Sequence, residues 1–158
     1  MTTPTPHRRR LRPPGQRGMS LLEVMVALLV LAFGVLGLVA LQTRTLKANV
    51  SALQRSQASM LSHYILDVMR VDREQARFGA YNTGDDVRCA AGTATGTPTL
   101  AESTLRDWIN DVKGSIGDRP STCVWVRCTE YHCSVQIRWD DSASGGLSEQ
   151  QLTIASRI

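Results

Sequence analysis

Apolar and polar positions divide this 158-residue chain into unlike stretches. Residues 24–41 form an uninterrupted apolar run of eighteen, with about 27 Å of rise if helical, enough to meet the lower bound for a membrane-spanning helix. The helical pattern continues beyond it. Leu46, Val50, Leu53, Met60, Leu61, Tyr64, Ile65 and Val68 recur at steps of three and four, and no Pro or Gly interrupts residues 39–78. The pattern predicts one helix from about Leu22 to about Arg70, apolar all round in its first half (19–41). Its second half (42–70) is amphipathic and is expected to pack those residues on a domain.

Residues 79–100 are rich in Gly, Thr, Ala and Asp and show no sustained period, so the region 71–121 reads as loop. Its exception is a short helix near 104–113, where Leu105, Trp108, Ile109 and Val112 form a stripe, with a cap near Ser103 and a stop at Gly114. Trp108 falls on that stripe and reads as a core residue. The strand signal is clearest in 122–158. Val135, Ile137 and Trp139 alternate with Ser134, Gln136 and Arg138. If residues 129–132 connect two strands, Cys128 faces Cys133, Val126 faces Val135 and Val124 faces Ile137, all on the buried side. A slip of one residue would undo that agreement. The same register supports a Cys128–Cys133 bridge. Cys123, five residues from Cys128 on the other face of one strand, is left to seek Cys89. Leu152, Ile154 and Ile158 suggest a last strand after the polar turn "DDSASGG". The expected fold class is α+β, a long N-terminal helix with a small antiparallel sheet.

Charge changes the picture at the N-terminus. Arg8, Arg9, Arg10, Arg12 and Arg17 precede Gly18 with no acid among them, and removing these five from the 18 basic residues leaves 13 against 14 acidic ones. The rest of the chain is near neutral and shows no basic face of the kind a nucleic-acid partner requires. The arginines hold the leading segment in the cytoplasm by the positive-inside rule and send everything after Leu41 across the membrane. Nothing like a small-x-small signal cleavage site follows Leu41. The even set of four cysteines lies on the far side, where oxidation is possible.

Candidate chemistry is thin. Cys123, Cys128, His132 and Cys133 offer zinc-ligand types, but the gaps do not form a close Cys-x-x-Cys pair, and no metal or cofactor is expected. "DDSASGG" has residues of a calcium loop but Gln151 where the twelfth-position acid belongs, and reads as a solvated turn. His63 reads as a helix-surface residue, and no phosphate loop or nucleophile elbow is visible, so no catalytic residue is assigned.

Glu23 is the anomaly, because a carboxylate opening a run that enters hydrocarbon costs on the order of 2 kcal/mol or more. Ser20-Leu-Leu-Glu23 has capping-box spacing, which accounts for a helix start. Together with the Arg-rich leader, Gly18 and the long helix, it resembles the type IV prepilin signal. The resemblance implies a membrane prepilin peptidase cutting after Gly18, a leader 1–18, Met19 as the N-methylated first residue, and Glu23 as a subunit-docking residue. Met19 stands where Phe is commoner, and Ala40 where major pilins carry a helix-kinking Pro.

"GVLGLVALQ", "RSQAS" and "LDVMRVDREQAR", with "LRDWINDV" and "CSVQIRWDD" further on, resemble more narrowly the type IV pilus modification proteins of PilV type, which are minor pilins. That likeness implies a single-pass inner-membrane protein with a periplasmic head. Its implied partners are other minor and major pilins and the inner-membrane assembly machinery. The implied role is to start or cap pilus assembly in support of twitching, adhesion or DNA uptake. A type II secretion pseudopilin would share leader and helix. A membrane-tethered periplasmic enzyme or zinc-binding module would share only the anchor.

Overall fold

The computed structural model describes residues 18–93 and 96–158. Helix α1 spans Leu21–Val71, 51 residues. It opens where Ser20 Oγ and Ser20 O both accept the Glu23 N–H, at 3.2 and 3.1 Å. The chain divides into two units, one ending at Leu41 and the other Gln42–Ile158.

In the first unit every described residue is exposed and, from Leu21 on, helical. An 18-residue window of α1 has mean hydropathy 3.0 with none of it buried, so the helix is long and apolar enough to cross a membrane. Exposure of that much apolar surface fits a lipid or helical surround rather than water.

The C-terminal unit holds the remainder of α1, then α2 (Arg73–Arg77), α3 (Leu100–Ile116), β1 (Cys123–Cys128), β2 (His132–Trp139) and β3 (Gln150–Arg157). The strands form an antiparallel sheet in the order β1-β2-β3. Val124 pairs with Ile137, Val126 with Val135 and Cys128 with Cys133, so the alternating apolar residues all face the core. Against that face pack Ala58, Ile65, Leu66 and Met69 of α1 and Leu105, Trp108, Ile109 and Val112 of α3. Trp108 is buried, and its Nε1–H donates to Leu61 O at 2.9 Å, which satisfies the indole while fixing α3 against α1. The architecture is α+β and fits a type IV pilin-like fold.

Three local expectations are corrected. α3 runs Leu100–Ile116, not 104–113. Its cap is Thr99: Thr99 Oγ1 accepts the Glu102 N–H at 3.2 Å while Glu102 Oε2 accepts the Thr99 N–H at 2.9 Å, a complete capping box. Ser103 lies inside the helix. Gly114 does not stop it, because burying Ile116 requires one more turn, and the chain leaves at Gly117 with φ 142°.

The second correction concerns α1. Its packed face is Ala58, Ser62, Ile65, Leu66 and Met69, with Leu61 and Val68 half-buried, whereas Leu46, Val50, Leu53, Met60 and Tyr64 are exposed. At 100° per residue these two sets lie on roughly opposite sides of the helix, so the apolar positions form two stripes and not one. Finally, Asp141 of the "DDSASGG" turn is buried, not solvated. Its Oδ2 accepts from Ser51 Oγ at 2.5 Å, which ties the β2–β3 connection to α1.

Candidate processing and docking site

Gly18 and Met19 stand in non-helical, exposed backbone immediately before α1. Among the described residues, a Cβ built on Gly18 would meet nothing within 4 Å, so none of them crowds this position. An open, irregular peptide ahead of a helix is the form a peptidase can bind, since residues inside the helix have their N–H and C=O groups engaged. The arginine block, residues 8–17, lies outside the described residues.

Glu23 sits in the first turn of α1. Its N–H is taken by Ser20, yet its carboxylate accepts no hydrogen bond and forms no ion pair among the described residues. The arrangement is half a capping box. A carboxylate there gains from the positive end of the helix dipole, while its acceptor capacity is unused among the described residues. Gly18, Met19 and Glu23 thus fall within one short stretch at the helix start.

The remaining candidate chemistry lies in the C-terminal unit. The cysteines form two disulfides, Cys89–Cys123 and Cys128–Cys133, with none left free. Disulfide sulfurs do not act as thiolate ligands, which leaves His132 of the four zinc-ligand types without cysteine partners. A cavity of about 320 Å³ lies between the segment after α2 and α3, lined in part by Asn82, Arg88, Glu102 and Arg106. Glu102 is engaged in the cap of α3, and Asn82 Oδ1 accepts the Cys128 N–H at 2.7 Å. The cavity lining includes no histidine or cysteine.

Sequence reasoning missed two ionisable groups. Tyr81 is buried, with its hydroxyl donating to Asp72 Oδ2 at 3.0 Å; burial, that hydrogen bond and the Asp72 charge push its pKa up to about 12. Asp140 is held below the usual carboxylate range by hydrogen bonds from Ser142 and by Arg119, 3.4 Å away. Neither pairing carries a local signal, because Tyr81 sits in a Gly/Asn/Thr context that reads as open loop and Arg119 is distant in sequence from its partner.

Residues 13–39 match the family model of the prokaryotic N-terminal methylation motif, the prepilin-type signal. The matched stretch contains Gly18, Met19 and Glu23 and most of the apolar run, and ends before the C-terminal unit begins. No curated protein and no solved structure matches the chain. The motif, the apolar helix and the small antiparallel sheet together support a type IV pilin or pseudopilin, a structural protein anchored in a membrane. By that class the motif implies processing by a prepilin peptidase and association with pilins.

Proposed function

We propose that the chain is a minor pilin, a low-abundance subunit that helps to initiate or cap type IV pilus assembly. The observation that carries this reading is the methylation motif seated on a non-helical Gly18–Met19 bond, directly before a 51-residue helix. Cleavage after Gly18 removes residues 1–18 and the five arginines with them, and frees the Met19 amine for methylation on the cytoplasmic side. The helix to Leu41 then remains as the single inner-membrane span.

The periplasmic placement of the C-terminal unit is supported by the arginines preceding the span and by two disulfides beyond it, since oxidation belongs to that side. Partners on this reading are the prepilin peptidase, other minor and major pilins, and the inner-membrane assembly machinery. Filament incorporation then supports twitching, adhesion or DNA uptake.

Intact mass of the membrane-extracted protein tests the reading. A chain beginning at Met19 and carrying one extra methyl group is expected. Gly18→Val should leave the leader attached, because a β-branched side chain beside the cut crowds the peptidase where glycine does not. Recovery of the full 158 residues from wild-type cells, or normal processing of Gly18→Val, would overturn it. Disruption of pilus assembly, as against secretion, on deletion separates the minor pilin from a pseudopilin.

A further inference from the structure

The two edges of the sheet are treated differently. In an antiparallel ladder each residue turns both its N–H and its C=O to one side, and successive residues alternate. Thr129 N–H donates to His132 O at 2.8 Å, continuing the β1–β2 ladder, so Val124, Val126 and Cys128 point their backbone groups outward. All three are engaged, Val124 and Val126 through both groups and Cys128 through its N–H. Val124 exchanges bonds with Arg88 at 2.7 and 2.8 Å. Val126 O accepts from Thr83 N at 3.0 Å and Val126 N donates to Thr83 Oγ1 at 3.1 Å, while Cys128 N donates to Asn82 Oδ1. The segment that reads as an unstructured loop is the cover of this edge, fastened by the Cys89–Cys123 disulfide.

Among the described residues β3 has no such cover. Ile158 N–H donates to Tyr131 O at 3.1 Å, continuing the β2–β3 ladder, so Gln150, Leu152, Ile154 and Ser156 face β2 while Gln151, Thr153, Ala155 and Arg157 face outward. All four are exposed. Among the described residues, the one hydrogen bond reaching their backbone is a long contact from Ser156 Oγ to Arg157 O, 3.4 Å. An eight-residue edge strand without proline, and with Arg157 at its end as its one charge, is weakly guarded against strand addition.

Charge defines what fits. Arg55 donates to Gln150 Oε1 at 3.2 Å at one end of β3 and Arg157 lies at the other; among the described residues neither has an acidic partner. Their ends of the strand are roughly 23 Å apart at 3.3 Å per residue. A second copy of this chain fits poorly. Arg55 reaches Gln150 and Arg70 reaches Ser156, so about 22 Å of helix rise matches about 20 Å of strand, and α1 runs beside β3 in the same direction. Antiparallel pairing of two β3 edges would bring Arg157 of each copy to the Arg55 end of the other, cation beside cation. Parallel in-register pairing would set Arg157 beside Arg157.

We propose that the outer edge of β3 is a strand-docking site for an extended segment, acidic at its ends, of a different prepilin-type subunit in the same membrane. That the partner is prepilin-type rests on the function proposed above. Main-chain bonds to residues 151, 153, 155 and 157 supply the affinity, and Arg55 and Arg157 select the segment.

The test uses the full chain in cells, with a benzophenone amino acid at Gln151. Irradiation should give an adduct with another prepilin-type subunit, mapped by mass spectrometry to an extended acidic segment. Thr153→Pro removes an N–H that the protein's own sheet does not use and should cut the adduct about tenfold, while Thr153→Ser should not. Both disulfides are mapped in the same sample to show that the sheet stands. Arg55→Glu with Arg157→Glu, which leaves every ladder bond in place, should also lower the adduct. An adduct with a second copy alone, no adduct from a chain correctly starting at Met19, or an adduct unchanged by both variants would overturn the proposal. A chain still carrying residues 1–18 would instead overturn the prepilin reading beneath it.

Discussion

Glu23 gives its backbone N–H to Ser20 Oγ at 3.2 Å and, among the described residues, receives nothing at its carboxylate in return. At the other capped helix start, Thr99 and Glu102 complete the reciprocal pair. Capping alone therefore needs Ser20 but not the Glu23 charge. On the proposed function, leader removal frees a Met19 ammonium that a neighbouring subunit presents to that charge away from water, where an unpaired ion costs on the order of 3 to 5 kcal/mol. Glu23→Gln keeps the shape and the backbone bond. It should insert into the membrane and be cleaved normally but fail to enter filaments or the initiating complex, as scored by shear fractions and co-purification. Unimpaired incorporation would leave Glu23 with no docking role.

The two disulfides should differ in their worth. Cys89–Cys123 closes a separation of 34 residues and Cys128–Cys133 one of 5. The loop-entropy relation gives about 4 kcal/mol for the longer and about 2 kcal/mol for the shorter. Replacing Cys89 and Cys123 together by Ala should thus lower the denaturation midpoint more than the same change at Cys128 and Cys133. It should also speed amide exchange at Val124 and Val126, whose edge the 82–88 segment covers. Equal losses from the two pairs would show that the cross-link does not hold that segment in place.

Much of the fold is legible because it is periodic. The apolar run and the absence of Pro and Gly from residues 39–78 announce α1, and the alternation through Val124, Val126, Val135 and Ile137 fixes the register without any distant information. The proposed processing site is legible for a different reason: Gly18, Met19 and Glu23 lie within one stretch of six residues, so the resemblance to the prepilin signal shows without any distant contact. What escapes is contact between remote positions. Leu46, Val50 and Leu53 look like core residues by spacing, yet periodicity cannot say which of two apolar stripes the sheet will cover. Thr99 and Glu102 form a capping box inside a Thr- and Gly-rich stretch that dilutes the signal. Asp141 looks solvated until Ser51, ninety residues earlier, is brought to it.

Gly146 is fixed by Asp141. A Cβ added at Gly146 would lie 2.2 Å from Asp141 Oδ2, 2.6 Å from its Cγ and 2.9 Å from its Cβ. The carboxyl cannot retreat without giving up Ser51 Oγ, and its Oδ1 is already a buried atom with no partner. Gly146→Ala should destabilise the C-terminal unit by about 1 to 3 kcal/mol, the usual cost of overpacking. In an Asp141→Ala background most of the clashing atoms are gone, so the same substitution should cost less, and a double-mutant cycle by urea denaturation should show the coupling. Additive losses would mean that the two residues do not constrain each other.

Tyr81 should give the protein an alkaline limit of its own. Burial, the hydrogen bond to Asp72 and the Asp72 charge all favour the neutral phenol, raising its pKa from 10.0 to about 12 in the folded chain. A group whose folded pKa is raised stabilises the fold below its unfolded pKa, and that contribution is lost as pH climbs through the folded value. The loss therefore falls between about pH 10 and 12 and amounts to at most about 3 kcal/mol. Absorbance titration of the detergent-solubilised protein should show one of the three tyrosines ionising late, in step with a fall in stability. Tyr81→Phe retains the ring in its pocket and should remove the late step while costing about 1 kcal/mol at neutral pH for the lost hydrogen bond. If no late ionisation step appears, or if Tyr81→Phe leaves the late step in place, the Tyr81–Asp72 pair does not govern alkaline stability.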